Sequence, residues 1–129
     1  ISELLLWMLQ NKADYTNTFC FLMNEYDPKN EIYKKKQFVL WKKKWENRIN
    51  LNNNSKENSI KIMSKVNPLV IPRNYLVEES LKYATDKDDL SKVNDLLKVL
   101  KKPYERVSAT SIYQSTPFPE ENYVTYCGT

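Results

Sequence analysis

Three groups of side chains in this sequence are equipped for chemistry: the thiols Cys20 and Cys127, the pair Arg73-Asn74, and the acidic run Asp86, Asp88 and Asp89. A thiolate is a nucleophile and a ligand for soft metals, provided that it is accessible and not desolvated. Cys20 lies between Phe19 and Phe21, an apolar setting that predicts a buried, inert thiol. Cys127 follows an aromatic-rich stretch and predicts an exposed thiol fit for exchange. The two are too far apart for a Cys-x-x-Cys redox or metal motif. Arg73 offers a fork of guanidinium donors that suits a phosphate or a carboxylate. The same pair also reads as architecture, with Arg73 holding a carboxylate or loop carbonyls and Asn74 satisfying backbone groups left open at Asn67-Pro68. The acidic run lacks the glycine and the distal glutamate of a calcium loop, so helix capping is its expected role.

Two absences exclude more chemistry than these groups permit. The chain contains no histidine, which removes Ser-His-Asp catalysis, imidazole acid–base chemistry and the common zinc ligand sets. Its single glycine is Gly128, so no glycine-rich phosphate loop of known type can form. One glycine in 129 residues also leaves few tight hairpin turns. The fold class expected is therefore mainly α.

Helical periods and breakers divide the chain. Ser2 is expected to cap a helix reaching about Asn11, with Leu4, Leu5, Met8 and Leu9 on one side. Asp14 or Thr16 opens a second, which runs through Asn24 and is ended by Asp27-Pro28. Asn30 begins the longest, to about Asn50, with Phe38, Trp41, Trp45 and Ile49 as its apolar stripe. An asparagine-rich loop from Leu51 to Asn58 precedes a short helix over about Glu57 to Val66. Asn67-Pro68 breaks that helix, and another starts after Pro72, with Leu76, Leu81, Tyr83 and Ala84 inward. Asp89 or Ser91 caps a further helix with a Leu90, Val93, Leu97 and Leu100 seam, and Pro103 stops it. From Tyr104 no helical period is visible. The expected domains are thus a helical body, 1–103, and an extended tail, 104–129, pinned to a surface by Tyr113, Phe118, Tyr123 and Tyr126.

The net charge of +4 and the lysines around Trp41 and Trp45 raise nucleic-acid binding. At about 100° per residue these charges fan around the helix instead of lining one face, and the tryptophans share the core stripe. No nucleic-acid partner is expected. No run approaches the roughly eighteen apolar residues of a membrane span, so no membrane partner is expected either. The opening at Ile1, without methionine, predicts a fragment.

The block Asn67-Pro68-Leu69-Val70-Ile71-Pro72-Arg73-Asn74-Tyr75-Leu76-Val77-Glu78-Glu79 resembles the selenoprotein O family, kinase-like proteins that transfer AMP to other proteins. In that family the block lies near the C-terminus and the chain ends with selenocysteine or cysteine third from last, as in Cys127-Gly128-Thr129 here. The words Asp14-Tyr15-Thr16-Asn17-Thr18-Phe19 and Phe21-Leu22 are also family-like, whereas at Cys20 the family more commonly carries arginine. The resemblance implies the helical C-terminal part of a kinase-like fold with an irregular aromatic tail. It implies ATP and Mg as cofactors of the parent, with ATP bound in reverse so that AMP passes to Ser, Thr or Tyr hydroxyls. The residues that do this lie N-terminal to everything present, so no catalytic, cofactor-binding or metal residue carries over, and this stretch itself needs no cofactor. The expected partners are the N-terminal kinase-like portion of its own parent chain and that parent's protein substrates. By the same resemblance Cys127 is a redox residue whose disulfide partner would be a cysteine of the missing core, not Cys20. A cytoplasmic location is expected, with a mitochondrial one as the alternative. The rival reading is an independent helical adaptor for protein interaction.

Overall fold

The structure, a computed structural model, describes residues 1–28, 31–51 and 55–115. Among these residues all regular structure is helical: α1 (Ser2–Gln10), α2 (Tyr15–Leu22), a 3-10 turn (Ile32–Lys34), α3 (Lys36–Leu51), α4 (Lys56–Met63), α5 (Asn74–Lys87), α6 (Ser91–Leu100) and α7 (Thr110–Tyr113). The chain forms two compact units, Ile1–Leu69 and Val70–Thr129.

The first unit is built on rings. Leu4, Trp7 and Met8 of α1, Leu22 of α2, Tyr33 of the 3-10 turn and Phe38 of α3 form its core. Phe38 is only 1% exposed and lies 4.6 Å from Trp7 and 5.1 Å from Tyr33, centroid to centroid. Phe21 stacks on Tyr33 at 4.3 Å with the planes 9° apart. Such offset and edge-on pairs add attraction beyond the apolar area they bury. Trp41 and Trp45 continue the stripe of α3 and are half-buried against this core.

The register of α1 differs from expectation. Its core-facing arc is Leu4, Trp7 and Met8, while Leu5 and Leu9 point outward, Leu9 being 77% exposed. Trp7, the bulkiest side chain of the helix, takes the place against Tyr33 and Phe38. The first turn closes through Leu5 N to Ile1 O, so Ile1 and not Ser2 is the cap position. The long helix is also shorter than expected. Lys35 has extended backbone (ψ 136°) between the 3-10 turn and α3, which lets Tyr33 enter the core; Asn30 lies outside the described residues.

In the second unit α5 packs against α6. Lys92 joins them by its 2.7 Å ion pair with Glu79 and by lying 4.7 Å above the Tyr83 ring. The expected seam of α6 is rotated. Leu96 and Val99 are buried, whereas Leu90 is 63% and Leu97 44% exposed. On α5, Leu81 is exposed and Ser80 takes the inward place, returning its hydroxyl to Leu76 O at 2.7 Å. After Pro103 the single turn α7 brings Thr110 and Gln114 into the interior. One turn is too short to show a period. Phe118, Tyr123 and Tyr126 lie outside the described residues.

With no glycine available, non-glycine residues end the helices in the left-handed region: Lys12 (φ 50°), Asn24 (φ 61°) and Asp88 (φ 51°). Lys12 N–H bonds Leu9 O at 3.3 Å and Ala13 N–H bonds Met8 O at 2.9 Å, the paired bonds of a Schellman end. Asn24 and Glu25 repeat the pattern on Phe21 O and Cys20 O. A lysine in this conformation suffers a Cβ clash that glycine avoids. Lys12→Gly is therefore expected to stabilise the first unit by about 1 kcal/mol. Urea unfolding should show a raised midpoint; a lowered one would mean that the turn is not left-handed in solution.

Candidate functional site

The family-like block at 67–79 meets the unit boundary at Leu69-Val70. On its first side, α4 unwinds through Lys65 and Val66 until Asn67 closes it. The backbone N–H and the side-chain Nδ2 of Asn67 both donate to Met63 O at 2.9 Å. Val66 N donates to the same carbonyl at 3.1 Å, so three donors converge on this helix-end oxygen. Pro68 then forbids continuation, and Leu69 and Val70 are buried. The Cys20 thiol lies 3.5 Å from Pro68 O and 3.9 Å from Leu69 O and is fully buried. Its surroundings are backbone carbonyls and apolar side chains, the inert environment that its flanking phenylalanines indicate.

On the second side Arg73 occupies the cap position of α5 with extended backbone, and its carbonyl accepts from Leu76 N and Val77 N at 3.0 Å each. Its side chain is half-buried; Asn74, the first helical residue, is exposed. The hydroxyl of Tyr75 donates to Ser115 O, tying the start of α5 to the segment after α7. Tyr75 was not singled out by sequence reasoning, because an aromatic one place into a helix carries no periodic signal.

The other family-like words, 14–22, form a polar node under α2. Asp14 caps the helix, accepting from Asn17 N at 2.8 Å. The Thr18 hydroxyl lies 2.6 Å from Asp14 O, to which it donates, and 3.1 Å from Tyr33 Oη. Asn17 and Thr18 are both buried. Burial pushes the Tyr33 phenol up to about 12, against the opposing pull of the Thr18 hydrogen bond. Sequence reasoning found the Asp14 cap but missed Asn17, Thr18 and Tyr33, since short polar side chains read as surface until a neighbour buries them.

The basic run is dispersed, as its spacing indicates. Lys34 pairs with Glu31 at 2.8 Å, Lys35 with Asn11 Oδ1 at 2.7 Å and Lys44 with Glu3 at 3.5 Å. Lys42 lies 5.2 Å above the Phe21 ring. Trp41 and Trp45 are less enclosed than their stripe indicates. They stack 6.2 Å apart with the planes 9° from parallel, and with Ile1, Lys44 and Ile49 they line an open groove of about 780 Å³.

Among the described residues no three His, Cys, Asp or Glu side chains lie together as a metal site. The donor set that ATP and Mg need, glycine amides around phosphates and carboxylates on the metal, is not assembled by these residues. Asp86 and Asp88 are exposed, Asp88 at the left-handed C-cap position of α5. Asp89 accepts from Ser91 N at 2.8 Å from the place before the N-cap, which is Leu90, so neither Asp89 nor Ser91 is the expected cap of α6. No helix is long and apolar enough to cross a membrane among the residues described. Cys127 lies outside the described residues.

What these loci define is helical scaffold: caps, helix ends and buried polar ties carried by the residues that look most family-like. The family profile described as Protein adenylyltransferase SelO matches residues 1–101. The chain belongs to the SelO family. It is 45% identical over 130 aligned positions to the protein nucleotidyltransferase YdiU of Pelagibacter ubique, 43% to that of Clostridium beijerinckii and 38% to that of Nitrosococcus oceani. In each case the whole of this chain is covered but only 26–27% of the relative, so the chain spans about a quarter of the length of these curated proteins. No solved structure matches it.

Because the folded-state value of Tyr33 lies above the ordinary value of 10, its contribution to stability is fully present below pH 10 and is lost as pH rises through about 12. In Tyr33→Phe this steep alkaline loss should be reduced, and one phenol should vanish from the late part of the ultraviolet titration. An alkaline limb unchanged by the substitution would contradict the buried Thr18–Tyr33 pair.

Proposed function

We propose that this chain is the C-terminal helical part of a protein adenylyltransferase with a kinase-like fold. The supporting observation is the SelO profile match across α1 to α6, joined to identities of 38–45% along the entire chain with proteins named nucleotidyltransferases. In the whole protein a Ser, Thr or Tyr hydroxyl of a protein substrate displaces pyrophosphate from ATP and takes up AMP, with Mg neutralising the phosphates. The sites for ATP and Mg lie in the part outside this chain, since the residues here do not fit them. The part played by this chain is mechanical. Asn67, Pro68, Arg73 and Asn74 end one helix and start the next, fixing where the helices of the lobe turn. Its partners are the remainder of its own chain and the protein substrates of the whole enzyme, with neither nucleic acid nor membrane among them; its place is the cytoplasm. Cys127, by its position third from the end and the aromatic run before it, acts as a redox thiol on a tail, 104–129, that is separate in role from the helical body, 1–103.

One preparation tests both parts of this reading. The full-length protein, given ATP labelled in the α-phosphate, should transfer label to protein, while the 129-residue chain alone should transfer none and bind no Mg-ATP in calorimetry. Oxidation of the same full-length protein should give a Cys127 cross-link that is lost in Cys127→Ser. Transfer of γ-phosphate instead of AMP, or nucleotide binding by the short chain, would refute the functional assignment. A full-length protein with no Cys127 cross-link under oxidation would refute the redox role.

A further inference from the structure

Helix α1 is apolar on two opposite sides. Leu4, Trp7 and Met8 face the core, within an arc of about 100° at about 100° per residue. Leu5, Leu6 and Leu9 occupy a second arc of about 100°, roughly opposite, and are 42%, 55% and 77% exposed. A helix bordering solvent carries one apolar stripe, whereas a helix that is apolar all round is enclosed by protein on all sides. The surface continues beyond α1. Leu6 and the 52%-exposed Leu40 of α3 border one shallow groove of about 270 Å³, whose floor includes Trp7 and Trp41. At the other end of α1, Ile1 reaches the groove that holds the stacked Trp41 and Trp45. Ile1 and Leu6 thus join Leu40, Trp41 and Trp45 of α3 along these grooves, and Leu5 and Leu9 form the adjoining outward side of α1.

We infer that this α1–α3 face is a docking surface, and that its occupant is the portion of the same polypeptide lying outside the 129 residues. The inference rests on the reading of the chain as part of a longer enzyme and goes beyond it by naming the surface. Two observations select this occupant. The match covers only 26–27% of each curated relative, so the rest of such a protein, nearly three times as long as this chain, is large enough to cover a two-helix face. The family profile includes α1, which makes the doubly apolar helix part of the family body. The patch is aliphatic and aromatic between polar borders of Gln10, Gln37 and Arg48, and Lys44 at its edge is already paired with Glu3. That composition suits permanent packing inside one protein more than a transient, charge-steered partner.

Single-thiol variants Leu5→Cys, Leu6→Cys and Leu9→Cys in the full-length protein provide the test, with maleimide alkylation of each position read by mass spectrometry in buffer and in urea. Each thiol should react at least about tenfold more slowly in the native protein than in the unfolded one, at every protein concentration. Native rates within about twofold of the unfolded rates would overturn the inference. Protection that disappears on dilution would assign the face to a second copy and overturn it as well. For any variant that does not fold, hydroxyl-radical footprinting of the same leucines in the unsubstituted protein takes its place; unfolded-like oxidation overturns, and suppression supports. Thiol reactivity does not depend on AMP transfer. Protected thiols in a protein that transfers no AMP would therefore defeat the functional reading alone, and exposed thiols in an active enzyme would defeat the docking surface alone.

Discussion

Phe38 is the contact on which the first unit depends. It meets Trp7 of α1, Phe21 of α2, Tyr33 of the 3-10 turn and Trp41 of its own helix, at centroid distances from 4.6 to 6.0 Å. Tyr33 likewise meets rings on α1, α2 and α3, so the two side chains together tie the unit's elements to one another. Rings bury large apolar areas while losing few rotatable bonds, which suits helices as short as α1 and α2 that have little stability alone. The polar node of Asp14, Thr18 and Tyr33 sits at the edge of this cluster. The buried Cys20 lies on the same short helix, with the carbonyls of Pro68 and Leu69 beside it. The family-like words at 14–22 and the start of the block at 67–79 therefore meet inside one unit.

The second constraint is the near absence of glycine. Helix ends must be made from lysine, asparagine and aspartate in a left-handed conformation, from an asparagine side chain folded back on its own helix, or from proline. Proline and the folded-back asparagine restrict the conformations that compete with the turn, whereas the left-handed lysine, asparagine and aspartate carry a Cβ clash that a glycine would avoid. The same scarcity keeps phosphate-binding loops out of the chain.

Much of this was legible in the sequence, and the failures have a common cause. The stripe of α3 is readable because sixteen residues supply several helical turns on which a period of three and four can be counted. The Asp14 cap is readable because capping is local, as are the breaks at Asn67-Pro68 and before Arg73. The rotation of α6, where Leu96 and Val99 turn inward in place of Leu97, is not readable. Ten residues of which half are Leu or Val allow two seams, and the choice belongs to the partner helix α5. In α1 the same ambiguity has structural meaning, since both sides really are apolar. Tyr33 escaped because a single 3-10 turn has no period, and Thr18 and Asn17 because their burial is decided by residues fifteen or more positions away.

The account holds that an aromatic cluster, centred on Phe38, carries the first unit and thereby positions the family-like words at 14–22 and the residues 67–69 that belong to the same unit. Its direct measure is the unfolding free energy of Phe38→Ala, followed by tryptophan fluorescence in urea. Loss of a fully buried ring with four aromatic neighbours should lower stability by about 3–5 kcal/mol and expose Cys20 to alkylation at the same denaturant concentration. A loss below about 1 kcal/mol, with Cys20 still protected, would contradict it.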